Sequence, residues 1–336
     1  MAFEIWNRRY TGSKYKLSDW IVGLINDNCE GSSFCDLFAG TGVISKKLLP
    51  HFNKVYINDL LYSNEIIYHA FFSNSKYSIK KINSYKERYS NIDPTKICDN
   101  YVSANFGNKF FSYNDSKKIG YIREDIELNS QNLNKKEKSI LIASLLYSLD
   151  KSANTVGHYD AYIKGHRIED RFYFDLISPY DTTNTEIIIS RNDANELAKK
   201  IDCDIVYIDP PYNSRQYSRF YHLLENITLW NKPNLYGVAL KPPTENMSEY
   251  CRSSATSAFS DLIKNLNCKY IVVSYNNTYN SKSSSSKNKI ELEDLEQILK
   301  EKGSLCKYEK PYQAFNAGKT DFKNHKELVY IVKVGK

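Results

Sequence analysis

No CxxC pair occurs among the seven cysteines, Cys29, Cys35, Cys98, Cys203, Cys251, Cys268 and Cys306. Neither the ligand spacing of a zinc site nor a disulfide framework is present, and free thiols in a reducing compartment are expected. The six histidines form no HxH or HExxH pattern, so no metal centre is expected. No run of about 18 apolar residues occurs, and the opening stretch MAFEIWNRRYTGSKYK has no long apolar segment. The expectation is a soluble, cytoplasmic protein without a membrane partner.

What the chain does contain is enough apolar material for a large core: 41% of 336 residues are hydrophobic. That length suits one large α/β domain with an insertion, or two domains. Basic residues outnumber acidic ones by 46 to 39, a formal charge of +7 that favours a polyanionic partner without demanding one. The 28 tyrosines supply stacking surface that a nucleic-acid binder can use. They also follow the Asn- and Lys-rich bias of the whole sequence.

Leu17, Ile21, Leu24 and Ile25 have helical spacing, and Phe34 to Phe38 reads as a short buried strand. After a Gly-rich turn, Val43, Ile44, Leu48 and Leu49 predict a helix. Val55 to Asp59 then predicts a second strand that ends on an acidic residue, completing a β-α-β unit. From about residue 64 to 185 the alternation gives way to a polar, aromatic-rich stretch with one apolar helix candidate, Ile140 to Leu149. It reads as an inserted domain. Alternation resumes with Glu186 to Ile189, Ile205 to Ile208, Lys269 to Ser274 and a hairpin-like end at Glu327 to Val334. The pattern predicts a mainly parallel sheet with helices on both faces. Ser281 to Asn288 is a low-complexity loop, in which Lys282 and Lys287 are candidates for non-specific contact with a polyanion.

Two segments carry chemistry. In Asp36-Leu37-Phe38-Ala39-Gly40-Thr41-Gly42 the glycines follow a strand and open a helix, so the backbone can approach a bound nucleoside closely. Asp59 ends the next strand 19 residues after Gly40, where a carboxylate can accept from both ribose hydroxyls. That spacing also fits NAD. However, Ser45 stands at the third small position of the dinucleotide fingerprint, and Asp36 would repel a pyrophosphate and attract a sulfonium or ammonium. A purely structural βα turn is the plainer alternative. The second segment, Asp209-Pro210-Pro211-Tyr212, leaves the strand Ile205 to Ile208. A carboxylate, a stiff carbonyl-bearing turn and an aromatic plate emerge together, which suits a planar ring bearing an amine. Asp-Pro-Pro also makes an ordinary turn after a strand.

With both segments in the right order, the chain resembles the D12 class of N6-adenine DNA methyltransferases, the Dam-like and type II restriction-modification methylases. The blocks that carry the resemblance are Arg8 to Leu17 (RRYTGSKYKL), DLFAGTG at 36 to 42, Asn58-Asp59-Leu60 and DPPY at 209 to 212. Residues 145 to 164 and 213 to 227 are similar to a subgroup of the family. The resemblance implies a Rossmann-like S-adenosylmethionine-dependent methyltransferase sheet built from residues 1–63 and 186–336, with an inserted, mainly helical DNA-recognition domain at 64–185. It implies S-adenosylmethionine as cofactor, held by Tyr10, Gly12, Lys14, Asp36, Phe38, Gly40, Gly42, Asp59 and Leu60, with Lys14 on the cofactor carboxylate. Asp193 or its neighbour Asn192 would lie near the cofactor adenine. The family's Gly-Gly-Lys or Trp in the N-terminal block is replaced here by Gly12-Ser13-Lys14 and Tyr10.

The implied substrate is a flipped adenine in double-stranded DNA, with Asp209, Pro210, Pro211 and Tyr212 as the catalytic group. Candidate DNA contacts are Arg215, Gln216 and Tyr217 after DPPY, and His158, Tyr162 and Lys164 in the insert. Helix capping and loop anchoring are their structural alternatives. Residues 76 to 89, KYSIKKINSYKERY, read as a solvated helix face or as a phosphate contact. The chain would act as a monomer on DNA, beside a cognate endonuclease working separately. An N6 or N4 amino methyltransferase acting on RNA or on DNA cytosine, and a non-catalytic DNA-binding specificity subunit, stay open at this point.

Overall fold

A computed structural model describes residues 2–277, 288–311 and 325–335. Lys282 and Lys287 lie outside the described residues. Seven strands form one sheet: β1 (Ser33–Asp36), β2 (Lys54–Asn58), β3 (Glu186–Ser190), β4 (Ile205–Ile208), β5 (Tyr270–Asn276), β6 (Gly303–Pro311) and β7 (Lys326–Val334). Their spatial order is β3-β2-β1-β4-β5-β7-β6. β1 to β5 pair in parallel, and β7 pairs antiparallel with both β5 and β6. All residues of β4 and β5 are buried, which is why both read as unbroken apolar runs. Phe259 and Leu262 of the helix Ala255–Asn265, with Leu295 and Leu299 of the helix Leu292–Lys302, share one core with Val206, Ile271 and Val273.

The order of strands decides where chemistry can sit. From β1 the chain winds outward to β2 and β3, then returns to place β4 on the other side of β1. Such a reversal opens a crevice at the carboxyl ends of the two central strands. Asp36 is in register with Tyr207, and the Leu37 N–H donates to the Tyr207 carbonyl at 3.0 Å. The Gly-rich turn and the Asp-Pro-Pro-Tyr turn therefore leave neighbouring strands at the same end.

The chain divides into two compact units. One contains Lys14–Leu60, Asn184–Gln216 and Asn246–Lys336 and holds the whole sheet. The other contains Met1–Ser13, Leu61–Thr183 and Tyr217–Glu245. It is helical, with Tyr62–Phe72, Ile79–Ser90, Tyr101–Phe106, Tyr113–Leu128 and Lys135–Ser152 in its central segment and no sheet strand among its described residues. Of these, Lys135–Ser152 opens with a capping box: Asn134 accepts from the Glu137 N–H at 2.9 Å while Glu137 accepts from the Asn134 N–H at 3.1 Å.

These units differ from the expected boundaries at 1–13 and 217–245, and the reason is visible in hydrogen bonds. The Arg9 N–H donates to buried Asp150, and its guanidinium donates to the Ala153 and Thr155 carbonyls. Glu225, on the helix His222–Leu229, accepts from the Tyr62 and Ser63 N–H groups and caps the helix Tyr62–Phe72. The basic run at 76 to 89 is largely the amphipathic helix Ile79–Ser90. Three of its five basic side chains are committed to ion pairs, Lys81 with Glu137, Lys86 with Asp175 and Arg88 with Asp125. That is the solvated-face reading rather than a phosphate track.

Candidate functional site

In the sheet-bearing unit, β1 ends on Asp36, which is 1% exposed. Its Oδ2 accepts from the Ser45 hydroxyl at 2.7 Å, while its Oδ1 is buried and has no partner. Burial pushes the carboxyl up to about 7, aided by the charges of Asp209 and Asp59 and opposed by Ser45. Gly40 and Gly42 follow in left-handed conformation, with φ of 53° and 76°. An L side chain there would strain the turn. Asp59 braces that turn by accepting from the Gly40 N–H at 2.9 Å, and partly exposed Leu60 follows it. Phe38 meets Tyr250 edge-on at 5.1 Å between centroids.

At the end of β4 the Asp-Pro-Pro-Tyr group has an unexpected guest. Lys14, 6% exposed, places its ammonium 2.8 Å from Asp209 Oδ1 and 2.8 Å from the Tyr212 hydroxyl. The same nitrogen lies 4.9 Å from the Tyr212 ring centroid, and the hydroxyl in turn donates to Asp209 Oδ1. Burial raises the Asp209 carboxyl above the ordinary range and the Lys14 charge opposes the rise. All these contacts fall on Oδ1; among the described residues nothing donates to Oδ2 or to the Pro210 carbonyl. Tyr212 packs its ring against Tyr275 at 4.8 Å and 72°. Lys14, expected on a cofactor carboxylate, lies here against Asp209 and Tyr212. A buried ammonium takes the nearest buried carboxylate, because each would otherwise carry a large desolvation cost.

The ends of β2 and β3 are joined by Asn58, which sequence reasoning placed in a motif block without a role. Its amide donates to the Leu37 and Asn192 carbonyls and accepts from the Ser190 hydroxyl and the Asn192 N–H. Asn192 is thereby fixed through its backbone and exposes its side chain. Asp193 caps the helix Ala194–Ala198, accepting from the Asn195 and Glu196 N–H groups through Oδ1. Ser45, Tyr250 and Tyr275 were also missed as site residues. Ser45 was legible only as a small residue near the turn, and the two tyrosines lie far along the chain from the residues they pack on, Tyr250 on Phe38 and Tyr275 on Tyr212.

Tyr10 and Gly12 lie in the helical unit. The Tyr10 ring stacks on Tyr221 at 4.9 Å and 5°, and the Arg8 guanidinium sits 4.7 Å from its centroid. A Cβ on Gly12 would lie 3.0 Å from the Tyr217 hydroxyl.

Among the candidate DNA contacts, Gln216 is held by the protein's own backbone. It is buried, and both ends of its amide are spent on the Ser248 backbone, at 2.9 and 2.7 Å. Arg215 donates its N–H to Asn213, and the Tyr217 hydroxyl donates to the Thr11 carbonyl. In the helical unit His158 stacks on Phe220 at 4.6 Å, Tyr162 meets Phe110 edge-on at 5.3 Å, and Lys164 is exposed.

Comparison with known proteins gives a consistent result. A family model for D12 class N6 adenine-specific DNA methyltransferase matches residues 10–290. The chain is 32% identical to the type II methyltransferase M.NlaIII of Neisseria lactamica, over 94% of this chain and 95% of that one. It is 35% identical to modification methylase StsI of Streptococcus sanguinis, over 87% of this chain and 46% of that one. With type II methyltransferase M.FokI of Planomicrobium okeanokoites it shares 31% identity, over 92% and 50%. The chain thus spans nearly all of the Neisseria protein and about half the length of the other two.

The buried, half-partnered Asp36 makes a testable demand. An ordinary aspartate titrates near 4; here the value is about 7. Between those limits the folded chain holds a proton that the unfolded chain has released, so stability falls as pH rises through the window and levels off above about 7. Asp36→Asn keeps the shape without the charge. Thermal melts should show it more stable than the parent at pH 8, by up to roughly 4 kcal/mol, with the gain shrinking toward pH 5. A gain that is absent or independent of pH would contradict the assignment.

Proposed function

Since the chain belongs to the D12 class of N6 adenine-specific DNA methyltransferases, we propose that it is the modification enzyme of a restriction-modification system and that Lys14, Asp209, Pro210 and Tyr212 receive one flipped adenine. The reaction is transfer of a methyl group from S-adenosylmethionine to adenine N6 in DNA. The observation that carries the proposal is the composition of the β4 turn: among the described residues nothing donates to Asp209 Oδ2 or the Pro210 carbonyl, which are held beside an aromatic ring.

The cofactor fits the residues present. Asp36 keeps a buried carboxylate oxygen without a partner, next to a turn opened by two left-handed glycines. A positive centre above that turn would satisfy Asp36, and Asp59 and Phe38 flank the same loop as candidates for ribose and ring contacts. When bound, S-adenosylmethionine supplies a methyl group on a cationic sulfur, which leaves as a neutral thioether.

Adenine's amino nitrogen is a poor nucleophile because its lone pair is delocalised into the ring, and pairing hides it within a duplex. Flipping provides access. Asp209 Oδ2 and the Pro210 carbonyl then accept the two N–H bonds, which draws the nitrogen toward tetrahedral geometry and directs its lone pair away from the ring. Positioning supplies much of the rate. Once the nitrogen–carbon bond forms, the excess proton leaves to solvent. Asp209 must be ionised to accept, and Lys14 favours that form against burial. Asp209 is therefore an orienting acceptor, and Lys14 its positioning residue.

The helical unit reads the target sequence in this proposal, with His158, Tyr162 and Lys164 as contacts, and Arg215 as a further one. The protein works in the cytoplasm as a monomer on DNA, beside a separate endonuclease. Among the described residues no helix is long and apolar enough to cross a membrane.

Asp209→Ala should abolish tritium transfer from labelled S-adenosylmethionine to DNA, while equilibrium binding of the cofactor changes by less than about threefold, since the acceptor acts on the base. Full activity would remove Asp209 from the reaction. Lys14→Met should lower kcat and move the acidic limb of the pH-rate profile to higher pH, because Asp209 loses the charge that opposes its raised pKa. An unshifted acidic limb would show that Lys14 does not act through Asp209.

A further inference from the structure

In the sheet-bearing unit, residues 246–251 touch three parts of the strand-end crevice at once. Asn246 enters in left-handed conformation, at φ 52°, and its side-chain oxygen accepts from the Arg191 guanidinium just beyond β3 at 3.4 Å. Ser248 meets Gln216 as one strand meets another. Its N–H donates to the Gln216 amide oxygen at 2.7 Å, and its carbonyl accepts from the amide nitrogen at 2.9 Å. The buried Cys251 thiol donates to the Arg215 carbonyl at 3.4 Å. Between these contacts the 3₁₀ turn Glu249–Cys251, capped by the Ser248 hydroxyl, carries Tyr250 into the core.

Tyr250 is 3% exposed and is held at both ends of its side chain. Its hydroxyl donates to the Asn195 side-chain oxygen at 2.8 Å, and the Asn195 amide donates to the Ala258 carbonyl and to Asp261, both at 2.8 Å. The phenol is thereby fixed to the helix Ala194–Ala198, which Asp193 caps, and to the helix Ala255–Asn265. Its ring meets that of Phe38, in the Gly-rich turn, at 82°. Phe38 has no polar group of its own, so its ring takes its orientation from what it packs on. At the other turn, Pro210 and Pro211 have no N–H with which to pin the chain to the sheet. The backbone there is fixed instead by the Lys289 N–H on the Tyr212 carbonyl at 2.8 Å and, four residues on, by the Gln216–Ser248 pair.

We propose that residues 246–251 form a brace between the two turns of the site, in which Tyr250 positions Phe38 for the cofactor and Gln216 holds the chain behind Asp-Pro-Pro-Tyr. The inference rests on the adenine-methylation reading, in which Phe38 is a ring contact for S-adenosylmethionine. Ser248 and Tyr250 lie outside every motif block and act on the site only through Phe38 and Gln216. Misplacing reacting atoms by about 1 Å costs on the order of a hundredfold in rate, so a brace of this kind bears directly on turnover. Its two ends are read in different constants, cofactor affinity for Tyr250 and kcat for Gln216.

The test uses the full chain, tritiated S-adenosylmethionine and plasmid DNA. Tyr250→Leu should weaken cofactor binding about tenfold or more in equilibrium dialysis without DNA, and Tyr250→Phe, which keeps a ring against Phe38, should restore it to within about threefold of the parent. Phe38→Leu should reproduce the loss with Tyr250 in place, which tests the contact even where a Tyr250 variant does not fold. Gln216→Ala should leave cofactor affinity within about twofold, yet lower kcat about tenfold or more with KM for DNA unchanged. Gln216→Glu, which sets a carboxylate against the Ser248 carbonyl, should lower kcat likewise. Cofactor binding by Tyr250→Leu within about twofold of the parent, or no restoration by Tyr250→Phe, would overturn the Tyr250 end. A Gln216→Ala loss confined to KM for DNA would assign that side chain to the duplex and overturn the other end. Losses that track the folded fraction in thermal melts would overturn both. A parent chain that binds S-adenosylmethionine but methylates no DNA would overturn the adenine-methylation reading itself, with the dialysis still testing Tyr250.

Discussion

Parallel pairing of β1 with β4 is the constraint on which the rest depends. It sets Asp36 opposite Tyr207, so that two turns separated by about 170 residues of chain leave the sheet side by side. One turn carries a buried carboxylate with one oxygen bonded to Ser45 and the other without a partner, and left-handed glycines; the other turn carries, among the described residues, a carboxylate oxygen and a carbonyl to which nothing donates. Slipping β4 by one residue would turn Asp209 to the opposite face and separate the Gly-rich turn from the Asp-Pro-Pro-Tyr turn. Buried, unbroken apolar strands enforce the register.

That arrangement gathers more negative charge than a sheet end tolerates comfortably. Asp59 and Asp209 both raise Asp36, and Lys14 answers Asp209 at the β4 turn. Asp36 responds by holding its proton to about pH 7, while Asp209 is held toward its ionised form by Lys14. The site is therefore poised for a positive ligand at one turn and for an N–H donor at the other. Part of the fold's stability is given up to keep it so, a pattern common where function needs unsatisfied groups.

Much of this was legible in the sequence. Ile205 to Ile208 was read as a strand with the bounds it has, because a short apolar run bounded by an Asp-Pro turn has few alternatives. The Gly-rich turn and Asp59 followed from strand, turn and spacing. The Lys14–Asp209 pair was not legible, since a salt bridge spanning 195 positions leaves no local signal. β6 was missed because it is an edge strand of alternating charge, Lys307, Glu309 and Lys310, that resembles a loop. Tyr113–Leu128 was missed as a helix because its buried face includes Asp115, Ser116, Gly120 and Arg123, which masks the apolar period. Gly120 sits there so that Asn100 can pack against the helix: a Cβ would come within 1.9 Å of the Asn100 side-chain oxygen. The Gln216–Ser248 contact was not legible either, because nothing in the sequence places these residues side by side.

The central claim is that this sheet end methylates adenine N6 within a fixed DNA sequence. Expression of the chain alone in a host lacking DNA methylation, followed by single-molecule sequencing of modified bases in the host genome, tests it most directly. The account predicts N6-methyladenine at nearly every copy of one short motif and nowhere else. Methylation on cytosine N4, modification confined to RNA, or an unmodified genome in cells that contain folded, cofactor-binding protein would contradict it.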